Sequence, residues 1–234
     1  MDARTRCEAL QRKILTEPER GMTVSHDLTL WGVGTSRTMR AHWILWELGL
    51  EYECHPIQSR TGETHTDEFK RLNPRHKIPV LRHGSFVLTE SAAIIQYLSE
   101  AFPNSPAVYM PTDAESRARL HEWCYFIMSE LDAGSLYVVR RHDGLKHIYG
   151  EAPTAVESAK DYFLHNLAVM ATRVGGNNTY LLGDRLSVAD ILLVTCFDWA
   201  SACGIALPET VTHYRQRVAR RPAYQAALKK NFVK

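Results

Sequence analysis

The chain has 234 residues, 45% hydrophobic and 23% charged, with a formal net charge of +2. That length holds one large or two small domains, and the composition is that of an ordinary globular protein. So small a charge argues against a nucleic-acid binder, the pairs Arg140-Arg141 and Arg220-Arg221 reading as solvated faces, and no apolar run reaches the length of a membrane span.

Residues 1–27 are polar and mixed in charge, without the apolar stretch of a secretory signal. Glu8, Glu17 and Glu19 argue against a transit peptide, which is poor in acids. This segment reads as an appended extension, with one short helix around Glu8–Leu15 and Met22 as an alternative start. The cysteines (Cys7, Cys54, Cys124, Cys196 and Cys203) are odd in number and widely spaced. With no C-x-x-C and no H-E-x-x-H, neither a redox dithiol nor a metal site is expected. A reducing, cytoplasmic setting fits, with Cys124, Cys196 and Cys203 as small core residues.

From Leu28 the pattern alternates period. "LTLWGV" (28–33) reads as a strand. "SRTMRAHWILWELGL" places Met39, Trp43, Trp46 and Leu50 at helical spacing with Gly49 as the stop, and both tryptophans are expected in the core. "YECHPI" (52–57) is a second strand, a short helix follows near Asp67–Leu72, and "IPVLRHGSFVLT" is a hairpin turning at His83-Gly84-Ser85. "ESAAIIQYLSEAF" is a helix ending before Pro103. The order β-α-β-α-β-β-α over 28–103 gives way, after a Pro-rich linker at 104–113, to uninterrupted helical period over 114–234. The predicted architecture is a small α/β domain followed by an all-helical one.

Several residues carry chemistry or shape. Pro79 lies within a strand-like run, which alone means an edge or a break. Thr89 is placed as the N-cap of the following helix, with Glu90 and Ser91 in its first turn, where acids complement the dipole and anions bind. Ser36, with Thr35 beside it, opens the first helix and is by itself a plain cap. Ser187 and Asp190 form a capping box flanked by Leu186 and Ile191 at the staple positions, a folding element and not a site. His121, Tyr125 and Met128 share one helix face, which is either core or a pocket wall.

Taken together, "TSRTMR", "NPRHKIPVL", "LTESAAIIQYL" and "LSVADILL" resemble the cytosolic glutathione transferase family, in order and spacing, from Leu28 to about Phe232. The first-helix motif is most similar to the serine-using theta, delta and zeta classes. The resemblance implies an N-terminal thioredoxin-like domain, a helical C-terminal domain, glutathione as co-substrate without a metal, a small hydrophobic electrophile as second substrate, and a homodimer. It implies a cis bond at Ile78–Pro79 that presents the Ile78 backbone to the cysteinyl part of glutathione. It also implies that Glu90 and Ser91 hold the γ-glutamyl end, that His76 and Lys77 face the glycyl carboxylate, and that Ser36, or else Thr35, donates to the thiolate. Gly32 and Gly34 would let backbone approach the ligand. His121, Tyr125 and Met128 would line the electrophile pocket. The expected activity is conjugation of glutathione to a hydrophobic electrophile, in detoxification. A zeta-like isomerase of a dicarboxylic substrate would want extra basic residues, and its "SSCSWRVR"-type signature is not reproduced. A non-catalytic scaffold would not need the glutathione-gripping residues.

Overall fold

The computed structural model describes residues 27–103, 105–174, 176 and 178–232. The helix expected around Glu8–Leu15, Cys7, Met22 and Gly175 lie outside the described residues. Strand β1 (Leu28–Trp31) runs parallel to β2 (Glu53–His55) and antiparallel to β3 (Val80–His83), which pairs with β4 (Phe86–Thr89) across a Gly84-Ser85 turn. The sheet order is β2-β1-β3-β4. Helices α1 (Ser36–Glu47), α2 (Asp67–Leu72) and α3 (Ser91–Ala101) complete this half. It is a four-stranded mixed sheet with helices, and the described residues that follow it form an all-helical half.

Helix α4 (Ala114–Phe126) does not end as an α-helix. It continues through two π-helical stretches, Ile127–Leu136 and Arg140–Gly144, on either side of Tyr137–Val139. Such bulges shift the face a helix presents and are frequent at functional sites. Then follow α5 (Pro153–Val174), α6 (Val188–Ala202), α7 (Glu209–Ala219) and α8 (Pro222–Asn231).

Helix α6 is apolar nearly all round, so it is buried at the centre, against α1, α3 and α4. Its start is a capping box: Ser187 Oγ receives the Asp190 N–H, and Asp190 Oδ2 receives the Ser187 N–H at 2.7 Å. Asp190 also accepts from the Leu181 N–H and the Tyr214 hydroxyl, so α7 and the loop before α6 hang on the same carboxylate.

The two halves are bound chiefly through α1. Trp43 is fully buried and meets the edge of Tyr224 on α8. Its indole N–H donates to Glu47, which also takes two bonds from Arg221 at 2.6 and 2.7 Å. Trp46, expected in the core, is instead 42% exposed. Helical spacing puts it three residues from Trp43, at the margin of the buried stripe.

His42 on α1 is wholly buried, with Nε2 3.1 Å from the Gly32 carbonyl and Nδ1 2.7 Å from the Tyr52 hydroxyl. A neutral ring satisfies both, donating to the first and accepting from the second. Burial, aided by Lys230 and opposed by the Gly32 contact, pushes its pKa down to about 4 from an ordinary 6.5. Between those values the unfolded chain binds a proton that the folded one does not. The stability this ring confers is therefore complete above pH 6.5 and is lost as pH falls toward 4, by about 2–4 kcal/mol. In denaturant melts between pH 7 and 4, His42→Asn should show a shallower acid slope than wild type. Identical slopes would mean that other groups govern this window.

Candidate active site

The site is built from the start of α1 outward. Thr35, in extended conformation, is the N-cap; its Oγ1 receives the Thr38 N–H at 3.0 Å, and its own N–H donates to Thr38 Oγ1. The Thr35 hydroxyl is thus engaged in a reciprocal cap. Ser36 is the first helical residue, half-buried, and among the described residues its hydroxyl has no hydrogen-bond partner. The plain-cap reading of Ser36 is corrected: Thr35 does that work, leaving Ser36 Oγ available at the helix N-terminus.

This turn is held from the far end of the chain. Asn231, buried at the end of α8, donates through Nδ2 to the Thr35 carbonyl at 3.0 Å and accepts at Oδ1 from Thr38 Oγ1 at 2.7 Å. Its backbone carbonyl receives the Gly34 N–H at 2.8 Å. Nothing in local sequence pattern links Asn231 to a loop almost two hundred residues earlier.

Gly32 has φ 115°, and a Cβ there would lie 2.6 Å from Ile78 Cβ. Its lack of a side chain therefore serves packing against Ile78, whereas Gly34 faces open space. The Ile78–Pro79 bond is cis. Among the described residues, neither the Ile78 N–H nor its carbonyl has a hydrogen-bond partner.

Helix α3 starts one residue later than expected. Thr89 closes β4, and Glu90 takes the N-cap position with φ 70°, so only Ser91 is helical. The Glu90 carboxylate is exposed and accepts from Arg75 at 2.9 Å. Ser91 is 2% exposed and its Oγ accepts from Arg40 at 3.2 Å. His76 Nδ1 lies 2.8 Å from the Thr64 carbonyl, and its ring stacks on His65. Lys77 reaches the other way: its ammonium is 3.5 Å from the Tyr137 hydroxyl.

Beneath these lies an ionic node that sequence pattern did not single out. Arg40 and Asp132 are both fully buried and paired at 2.8 Å, and Arg37 makes a second ion pair to the same carboxylate. Arg40 also donates to Thr195 at 2.8 Å and approaches Met128 Sδ and Cys196 Sγ. Burial raises the Asp132 pKa, but Arg40 and Arg37 outweigh it and hold the carboxyl below its ordinary range. Asp132 belongs to the π-helical stretch, so regular helical spacing would not have aimed it here.

Of the trio on the long helix, His121 and Tyr125 meet, their ring centres 5.9 Å apart, while Met128 points elsewhere. Met128 touches Arg40, Tyr125 is 66% exposed, and His121 lines a small crevice with Gln96, Glu100 and Val188. Met128 lies in the π-helical stretch that begins at Ile127, and its sulfur faces Arg40. Tyr137, instead, gathers Arg37, the residue after Ser36, and Lys77, the Arg37 guanidinium lying 4.5 Å from its ring centre. Among the described residues there is no cluster of side chains fit to hold a metal ion, and no helix is long and apolar enough to cross a membrane.

This fold, a mixed sheet ahead of a helical half with a helix N-terminus at their junction, is matched by two family models. The glutathione S-transferase N-terminal domain matches residues 26–100 and the glutathione S-transferase C-terminal domain residues 126–222. The chain belongs to the glutathione S-transferase family, a family of enzymes. It is 28% identical over 175 residues to the mouse glutathione S-transferase theta-3, covering 73% of this chain and 72% of that one. It is 26% identical over 231 residues to the glutathione S-transferase TCHQD of Arabidopsis thaliana, covering 83% and 86%. The theta class glutathione S-transferase of Xanthomonas axonopodis pv. citri, solved with glutathione bound, shares the fold at a TM-score of 0.73 and 23% identity, over 89% of this chain and 98% of that one.

Proposed function

We propose that the protein binds glutathione at the junction of its two halves and conjugates the thiolate to an electrophile with an apolar ring. The observation that carries this reading is the Ser36 hydroxyl, without a partner among the described residues at the first turn of α1, beside a Thr35 hydroxyl already held by its cap. A thiolate placed there receives one hydroxyl donor and the favourable end of the helix dipole.

The remaining contacts follow from the groups that the family motifs place around it. The Ile78 backbone pairs with the cysteinyl backbone, Pro79 setting its direction. Glu90 and Ser91 meet the γ-glutamyl ammonium and carboxylate; Ser91 is primed by Arg40, which occupies its acceptor and leaves its proton to donate. Lys77 takes the glycyl carboxylate, with His76 at the edge of that contact. Glutathione-bound relatives of this fold and family membership support the co-substrate, and membership likewise supports a cytoplasmic homodimer active in detoxification.

Calorimetric titration with glutathione, followed by a glutathione-consumption assay over a panel of electrophiles, tests the reading. Stoichiometric consumption with product formation is expected. Turnover without net consumption would mean isomerisation. Binding without turnover would point to a scaffold, and absence of binding would overturn the assignment.

A further inference from the structure

Around Arg37, the residue that follows Ser36, several cationic side chains gather on aromatic rings. Arg37 sits 4.5 Å from the Tyr137 ring centre and 5.9 Å from that of Trp199. Arg140, on the second π-helical stretch, also lies 5.9 Å from the Trp199 ring centre, close enough to feel the charge of Arg37. Arg141 lies 4.4 Å from the Tyr149 ring centre, and Arg60, held at φ 70° in the loop after β2, lies 6.0 Å from it. Lys77 closes the group at Tyr137. Among the described residues the only ion pair in the group is that of Arg37 with Asp132, a carboxylate it shares with Arg40. Glu90, which also faces Arg37, is already paired with Arg75, and Asp143, which like Arg140 faces Cys203, makes no ion pair with any arginine of the group among the described residues.

Two further observations bear on this charge. The Arg141 Nε is buried and, among the described residues, has no hydrogen-bond partner, a costly state for a guanidinium donor. Burial first, then the like charges of Arg60 and Arg37, lower the pKa of Arg140. Arginine matches a carboxylate with a planar fork of donors, and the second π-helical stretch brings Arg140 close to Arg37 and Arg141 close to Tyr137.

We propose that the second substrate is an aromatic electrophile bearing a carboxylate, which Arg140 and Arg141 grip while its ring lies against Tyr137. For its chemistry this rests on the transferase reading; for its binding it does not. In such a reaction the glutathione sulfur attacks the ring carbon carrying a halide, the C–S bond forms, and the C–halide bond breaks with the halide leaving as its anion. No oxidant or reductant takes part.

The test uses a chlorobenzoate with nitro groups on both sides of the chlorine, para to the carboxylate, and its methyl ester. Calorimetry reads the binding of each to wild type, Arg140→Met, Arg141→Met and the charge-keeping Arg140→Lys. Kinetics read kcat/KM, each divided by its uncatalysed rate. The carboxylate should bind wild type more tightly than the ester. The carboxylate-to-ester ratio should fall on the order of tenfold in either Met variant, and less in Arg140→Lys, as expected for loss of a charged hydrogen bond. Equal binding of acid and ester to wild type would overturn the proposal. So would a ratio unmoved by both Met variants, or a weakening of glutathione itself in those variants, which would assign the arginines to the tripeptide. If the acid binds selectively but neither probe is turned over with glutathione, the transferase reading fails while the anion site stands.

Discussion

Asp132→Ala is expected to destabilise the protein by about 3–5 kcal/mol, the cost of leaving a buried charge without its partner. Arg40 is the reason. It is fully buried, its only carboxylate among the described residues is Asp132, and it belongs to α1 while Asp132 and Thr195 belong to the helical half. The pair therefore joins the two halves directly under the candidate site. For a chain of this size a loss of that order lowers the melting temperature by about 6–20 °C. The effect should be non-additive: Arg40→Met with Asp132→Leu removes both charges and should recover much of the loss, because an apolar pair of similar volume needs no compensation. Thermal melts of the single and double variants check this. A double variant as unstable as the sum of the singles would mean that Arg40 matters for its bonds to Thr195 and Ser91 and not for its charge.

The second large effect is on rate. A thiol like that of free cysteine has a pKa of about 8.5, and the thiolate is the nucleophile. Lowering that pKa by about 2 units needs roughly 2.7 kcal/mol. One hydrogen bond to a charged group supplies about 1.5–3 kcal/mol, and the N-terminus of α1 adds about 0.3–1. Ser36→Ala should therefore reduce kcat/KM at neutral pH by about one to two orders of magnitude, with glutathione affinity little changed because the contacts proposed for Ile78, Glu90 and Ser91 are untouched. At pH above about 9 the deficit should shrink, since the thiol then ionises without help. A deficit independent of pH would show that the hydroxyl positions the substrate and does not stabilise the anion.

How much of this was legible beforehand differs by residue. The β-α-β-α-β-β-α order, the hairpin at Gly84-Ser85 and the capping box of Ser187 and Asp190 follow from period and turn chemistry, which are local. The placement of Thr89 failed by one residue because Glu90 adopts a positive φ, which side-chain preference does not announce. Thr35 and Ser36 carry the same group, and only the reciprocal bonds with Thr38 separate cap from free hydroxyl. Asp132, Tyr137, Arg140 and Arg141 were hidden by the π turns, which break the periodicity that face-reading depends on. The first-helix arginines sat inside a recognised motif, but their partners are distant in sequence and adjacent only in the fold. Asn231 was hidden for the same reason.

The account turns on where the thiolate is stabilised, and the most direct measurement is a pH titration of thiolate absorbance with glutathione bound. Wild type should titrate well below free glutathione, Ser36→Ala about 1–2 units above wild type, and Thr35→Ala near wild type, though less stable by the roughly 0.5–2 kcal/mol of a lost cap. An upward shift in Thr35→Ala with none in Ser36→Ala would move the role to Thr35. Titration of wild-type complex at the pKa of free glutathione would contradict the account altogether.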